Sequence, residues 1–300
     1  YKRQLENRLY LSITNHSKDP KISLIELKKQ LYNVREILIS EHKSLFLDQL
    51  DDIINKVNIF GYHFASLDIR QDSRIHSKAF ESVFKVAQDL LITNSKENYS
   101  TLSEDQKIKI LSKLSGDIPV NSFTNDSVVS ILSSIRAMKL IQKSNGEMGS
   151  NRYIISNNQS ALNILEVFSM FKLSDWKSPT VDIIPLFETV SDLKVAAKVM
   201  ESVYNNSTYR KHLANREDRQ TIMLGFSDGT KDGGYLMANW SILKAKESLT
   251  SISRKYGVKV VFFDGRGGPP ARGGGNTHQF YASMGTFVES DEIQLTVQGQ

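Results

Sequence analysis

From Gly61 onward, short apolar runs alternate with segments whose apolar residues recur every three or four positions, and few architectures accommodate that rhythm. The runs are His63–Ile69, Arg152–Ser156, Val181–Phe187, Thr221–Phe226, Val258–Phe263 and Ile293–Val297. Between them lie helical stripes such as Val128, Leu132, Ile135 and Met138, or Leu193, Ala197, Met200 and Tyr204. Strands separated by helices of this length pair in parallel, with each helix crossing over the sheet. The expected class is α/β and helix-rich. In such sheets and barrels, ligands bind beyond the carboxyl ends of the strands. The residues before Gly61 read differently, as helix alone. Leu24, Leu27, Leu31, Val34, Ile37 and Leu38 form one stripe within Ser23–His42, and Leu50, Ile53, Ile54 and Val57 a second within Leu47–Ile59.

Composition removes several classes of chemistry. The chain has no cysteine, so disulfides, thiolate catalysis and Cys-ligated zinc are excluded, and a reducing compartment fits. No apolar run reaches the roughly 18 residues of a membrane span, and no basic n-region or apolar h-region opens the chain. The net charge of +5 over 300 residues is mild and reads first as ordinary solubility, although it also suits anionic ligands. The six histidines show no metal-ligand spacing, and no Gly-x-Ser-x-Gly elbow is present.

Charge collects where the strands end. Asp68-Ile69-Arg70-Gln71 closes the first run and Glu188-Thr189 the third. Ser227-Asp228 with Lys231-Asp232 follows the fourth, and Asp264-Gly265-Arg266 the fifth. The second run ends in uncharged Ser156-Asn157-Asn158. Glu188 and Asp228 become neighbours only if their strands share one mouth. Two carboxylates on rigid strands, completed by water, suit Mg²⁺ or Mn²⁺ against a substrate phosphate. Each alone reads equally as the cap of the helix that follows.

Glycine is distributed unevenly. Twelve of the 17 fall between residues 225 and 285, which asks what must come close there. In Gly225–Gly234, small residues flank Lys231 at a strand-to-helix junction, where backbone amides and an ammonium would hold an anion. It is not a Walker A loop, because Asp232 follows the lysine. The plain alternative is a flexible turn before a capped helix. Gly265–Gly275 carries Arg266 and Arg272, six residues apart, with almost no apolar side chains. Such a loop is expected to move and to bring guanidinium groups over a phosphate or carboxylate. An Arg-Gly-Gly segment binding RNA, or a dinucleotide fingerprint, are poorer fits. The first is usually repetitive, and the second lacks its third glycine.

Taken in order, these segments resemble phosphoenolpyruvate carboxylase over Tyr1 to Gln300. Phe60-Gly61 with Leu67–Ser73 is similar to the family's FG…LDIRQ(E/D)S segment, Tyr153–Ser156 to its YVIS strand, and Pro185–Thr189 to its PLFET. Leu224–Asp228 with Lys231-Asp232 resembles its GYSDSxKDxG signature. Gly265–Gly274 resembles its GRGGxxxRGG loop, and Thr296–Gly299 the strand after it. The resemblance implies an incomplete TIM-like (β/α)8 barrel with extra helices. Residues 1–60 would be a helical segment packing on the barrel, and 61–300 a partial barrel holding the metal and phosphoenolpyruvate site.

The chemistry so implied is carboxylation of phosphoenolpyruvate by bicarbonate to oxaloacetate and phosphate, an anaplerotic supply to the tricarboxylic acid cycle. Bicarbonate attacks the phosphoryl group, giving carboxyphosphate and the pyruvate enolate; carboxyphosphate yields CO₂, which the enolate captures. By the same resemblance, Glu188 and Asp228 are metal ligands for Mg²⁺ or Mn²⁺, and Arg70 and Arg266 hold the phosphoryl group. Lys231 lies near the substrate, and Arg272 assists the carboxyphosphate step and receives an acidic feedback inhibitor, aspartate or malate. A cytoplasmic homotetramer is implied for the full-length enzyme, with neither nucleic acid nor membrane as partner. Another phosphoenolpyruvate- or pyruvate-handling barrel, or a nucleic-acid module built on the Arg-Gly-Gly loop, are the alternatives.

Three departures set further expectations. Asp264 stands where the family usually has histidine, and a carboxylate there either repels an anionic substrate or holds Arg266. Pro269 and Pro270 stiffen a loop expected to move. Family members are also much longer, with an amino-terminal TAHPTE-type histidine segment and a carboxyl-terminal arginine that have no counterpart here. The chain is therefore expected to be a central piece of the enzyme, inactive by itself.

Overall fold

The computed structural model describes residues 2–14, 22–91, 98–265 and 275–296. The chain divides into two compact units, Tyr1–Leu67 with Ala137–Asn151 and Asp68–Arg136 with Arg152–Gln300.

The first unit is helical. It holds α1 (Lys2–Thr14), α2 (Leu24–Glu41), α3 (Leu47–Phe60) and the second half of α6 (Asp126–Asn145). Ser23 caps α2 by accepting from the Glu26 amide, which is why the helix starts there. Arg35 on α2 donates through Nε to Asp51 on α3 at 2.7 Å, and the Tyr62 hydroxyl donates to the Ile22 carbonyl at 3.0 Å. The two expected stripes are helices within a residue or two of their expected ends.

The second unit is built on a six-stranded sheet, all parallel, in which chain order and spatial order coincide. Its strands are β1 (Asp68–Asp72), β2 (Arg152–Ser156), β3 (Asp182–Phe187), β4 (Arg219–Leu224), β5 (Lys259–Asp264) and β6 (Ile293–Leu295). Between them run α4 (Ser73–Leu91), α5 (Glu104–Lys113), α7 (Ala161–Lys172), α8 (Val190–Asn205), α9 (Ser207–Ala214), α10 (Phe226–Lys255) and α11 (Thr277–Ala282). The first strand is displaced from the expected His63–Ile69. Among the described residues it pairs only with β2, and this sheet-edge position tolerates the charged sequence Asp-Ile-Arg-Gln-Asp. The end of the expected Ile293–Val297 run lies outside the described residues.

Register fixes which side chains face inward. Arg70, Ile154 and Ile184 stand level across β1, β2 and β3, and Met223 and Phe263 across β4 and β5. Ile154, Ile184, Leu186, Met223 and Phe263 form a buried apolar cluster on that face. The sheet is curled around it. In a flat sheet, β2 and β6 would lie about 19 Å apart, four strand spacings. Yet Arg152 on β2 donates to Gln294 on β6, and its guanidinium sits 4.9 Å over the Phe263 ring of β5. A curled, all-parallel sheet with crossover helices fits part of a barrel.

One seam in the sheet is held by a side chain. The β3–β4 ladder pairs only Leu186 with Met223 and Phe187 with Leu224, beyond Pro185, which has no N–H to donate. Buried Gln220 spans the gap: Nε2 donates to the Ile183 carbonyl at 2.9 Å, and Oε1 accepts from the Tyr209 hydroxyl of α9. Among the described residues, no helix is long and apolar enough to cross a membrane.

Candidate active site

Three of the sequence-derived residues converge at the carboxyl end of the sheet. Arg70 lies mid-way along β1 on the inner face, and Glu188 is the first residue beyond β3. Arg70 Nη2 donates to Glu188 Oε1 at 2.9 Å, closing a gap of 118 residues in sequence. Asp228 occupies the first turn of α10, where a carboxylate meets the positive end of the helix dipole. Its charge reaches Glu188. Burial is the main influence holding the Glu188 carboxyl above the usual glutamate range; Asp228 and Asp72 push the same way, and Arg70 with the Asn157 amide pulls back.

Glycine makes this approach achievable. Gly225, between β4 and α10, donates its N–H to the Phe187 carbonyl at 3.0 Å. A Cβ on Gly225 would stand 3.2 Å from the Glu188 Cα, and one on Gly229 would stand 3.5 Å from the Glu188 carbonyl oxygen. The start of α10 therefore rests directly on the backbone that carries Glu188. Asp232 fastens the same contact, accepting from the Val190 amide of α8 at 2.9 Å. Gly225→Ala is expected to cost roughly 1–3 kcal/mol, because the opposing atom is backbone and cannot swing aside. A shift in the urea unfolding midpoint of the variant is the check.

Lys231 sits one turn after Asp228 and reaches its Oδ1 at 3.3 Å. Both side chains are exposed, 79% and 51%, so the ammonium remains open to an incoming anion. The strand-to-helix junction expected here is what forms, and the alternative of a flexible turn before the helix is not. α10 begins at Phe226, immediately after Gly225, and the break comes later, at Gly234 with φ of 78°.

Arg266 and Arg272 lie outside the described residues. The residue before them, Gly265, is buried and donates to the Leu224 carbonyl at 2.9 Å. A Cβ there would meet that oxygen at 3.0 Å and the Gly225 Cα at 3.8 Å. The glycine run thus departs from beside the junction that carries Glu188 and Asp228.

Sequence reasoning passed over Asp72 and Arg74, which pair at 2.8 Å beside the site. Asp72 closes β1 in the same Leu67–Ser73 segment that supplied Arg70, and its place at a strand end was the available signal. The Asn157 amide was not legible at all, since it depends on a residue with φ of 53° directing its N–H at Glu188.

Against this geometry, the family model described as phosphoenolpyruvate carboxylase matches residues 3–300. The chain belongs to the phosphoenolpyruvate carboxylase family. Among curated proteins it is similar to the phosphoenolpyruvate carboxylase of Nitrosomonas eutropha, with 35% identity over 275 residues. That alignment takes in 87% of this chain and 29% of the relative, so the chain spans less than a third of that protein's length.

Phosphoenolpyruvate carboxylases generally use a divalent metal, so the fit of these residues to one can be weighed. Among the described residues, no group of three or more His, Asp or Glu side chains is placed to hold an ion. Two carboxylates are available, Glu188 and Asp228, and one of them is held away from its preferred ionised state by burial and by the charge of the other. Hard oxygen donors in need of a compensating cation match Mg²⁺ or Mn²⁺, which take one or two protein carboxylates and fill the remainder with water and substrate oxygen.

Proposed function

We propose that this chain supplies the metal- and phosphoenolpyruvate-binding part of a carboxylase that joins bicarbonate to phosphoenolpyruvate, yielding oxaloacetate and phosphate. The curled parallel sheet is read as part of a TIM-like (β/α)8 barrel, with the site at the carboxyl ends of its strands. The observation that carries the reading is the Arg70–Glu188 pair with Asp228 beside it: a cation and two carboxylates from β1, β3 and the β4–α10 junction at one end of one sheet.

The roles follow from charge and exposure. Glu188 and Asp228 would hold the divalent ion, which when bound neutralises charge on the phosphoryl and enolate oxygens. Arg70 is half exposed and commits one nitrogen to Glu188, leaving further donors for a phosphoryl oxygen. Lys231 offers a point charge at the rim. Arg266 and Arg272 are assigned to the phosphoryl group and the carboxyphosphate step, with Arg272 also the place for an acidic feedback inhibitor. Gly225 and Asp232 keep the α10 terminus seated, so the two carboxylates stay paired without substrate.

Calorimetric titration of phosphoenolpyruvate with and without Mn²⁺ tests the reading. Binding is expected only with the metal. Equal binding without it would count against the carboxylate site. A rival module binding nucleic acid through the Arg-Gly-Gly run would instead show RNA affinity that falls steeply with salt and ignores Glu188→Ala.

A further inference from the structure

Asp264 closes β5, and strand register settles which way it faces. Phe263 belongs to the inner cluster, so its neighbours Phe262 and Asp264 point outward, into the helical layer. The expectation that this carboxylate repels substrate is therefore corrected: it stands on the other face of the sheet. Its partners there are defined. Lys246 of α10 donates to Oδ2 at 2.8 Å, and the Tyr281 hydroxyl of α11 donates to the same oxygen. Lys246 and Asp264 are each 1% exposed. The Lys246 ammonium also lies 5.3 Å from the ring centres of both Phe262 and Tyr281.

A buried ion pair is a weak source of stability, because apolar residues of similar volume often replace one at no cost. What this pair does supply is geometry. Asp264 is the last residue before Gly265, and Tyr281 lies in the helix that follows the glycine run, 17 residues further on. One carboxylate oxygen joins both flanks of a stretch that has few side chains of its own. Lys246 connects that joint to the part of α10 beyond its break at Gly234, on the far side of that break from Asp228.

We propose that Lys246, Asp264 and Tyr281 form a positioning unit that fixes Gly265 and α11, the two flanks of the arginine-bearing run, relative to α10, and thereby sets the affinity for phosphorylated substrate. The unit touches no substrate. The ligand part of the inference rests on the carboxylase reading above, whereas the geometric part stands apart from it.

Two variants of the full-length protein test it. Tyr281→Phe removes one hydroxyl. The double variant Lys246→Met/Asp264→Leu removes the pair without stranding a buried charge. In both, amide hydrogen exchange at Gly265 and across Thr277–Ala282 is expected to accelerate at least ~10-fold. KM for phosphoenolpyruvate is expected to rise about tenfold, with kcat changed less than about twofold. Unchanged exchange in a folded variant overturns the positioning role. Faster exchange with unchanged KM overturns the link to substrate. If the double variant does not fold, Tyr281→Phe alone decides by the same two readouts. If the parent protein does not act on phosphoenolpyruvate, the carboxylase reading falls, and exchange at the flanks still decides whether the unit fixes them.

Discussion

Glu188→Gln is expected to abolish Mn²⁺-dependent phosphoenolpyruvate binding while leaving the fold as stable as the parent or more so. The two halves of this result have one cause. Burial, aided by Asp228 and Asp72, holds the Glu188 carboxyl above its ordinary range, so the charged form is disfavoured by the folded chain. The sign follows: the cost is fully present above the raised folded value and fades as pH falls through it towards the unfolded value. A neutral amide at neutral pH removes that cost, offset by the loss of a half-exposed ion pair to Arg70, which contributes about 0–1 kcal/mol. Affinity should respond far more strongly. Groups that merely orient metal ligands are worth about 10–100-fold, so loss of a direct ligand should exceed about 100-fold. Calorimetry with Mn²⁺ and the urea midpoint, measured on the same sample, make the comparison. A variant that binds as the parent does, or that loses affinity only in step with lost stability, would remove Glu188 from the site.

Acid should open the fold through two histidines that have no part in the site. Burial lowers His76 from 6.5 to about 4, against a small upward pull from Asp72. Burial also lowers His212 to about 4, with Arg216 adding to it and Asp182 and the Val181 carbonyl opposing. The unfolded chain therefore binds these protons first. Stability is intact above pH 6.5 and declines as pH falls towards 4, by about 3 kcal/mol per histidine. Glu166 works in the opposite sense. Burial raises its carboxyl despite hydrogen bonds from Ser77 and Tyr99, so its cost to the fold lessens as pH falls. The cleanest measurement is thus a difference. His212→Asn should lose about 3 kcal/mol less than the parent between pH 7 and pH 4 in urea titrations. Parallel curves for the two proteins would show that His212 takes up its proton within the fold.

Much of the sheet was legible because buried parallel strands are apolar on both faces. β2 and β3 match their expected runs to within one residue, since Tyr153–Ile155 and Ile183–Phe187 are buried throughout. The same feature concealed direction: an all-apolar run such as Val260–Phe263 gives no sign of which residues face inward, and Asp264 was accordingly expected either to meet substrate or to hold Arg266. Edges and ends were harder. β1 is too charged to look like a strand, and β4 starts at Arg219, whose pairing with Glu292 makes it acceptable there. Candidate site residues could be proposed from motifs at strand ends, but the convergence of Arg70, Glu188 and Asp228 could not. The Arg70–Glu188 contact depends on the curl of the sheet and on Gly225, where the absence of a side chain decides how close two segments come.

The coincidence of chain order with strand order has a consequence for how the protein is made. Each strand from β2 to β6 pairs with the one synthesised just before it, so each new β–α unit finds an edge waiting as it leaves the ribosome. Asp182 pairs 30 residues after Arg152 and Lys259 pairs 40 after Arg219, whereas Arg152 pairs 84 after Asp68, so β1–β2 closes the longest loop and carries the largest closure entropy. Three of the candidate site residues then arrive in sequence: Arg70, then its partner Glu188, then Asp228. Arg70 and its partner Glu188 are both made before β4, whereas Asp228 follows Gly225, the residue that donates to the Phe187 carbonyl and seats the start of α10.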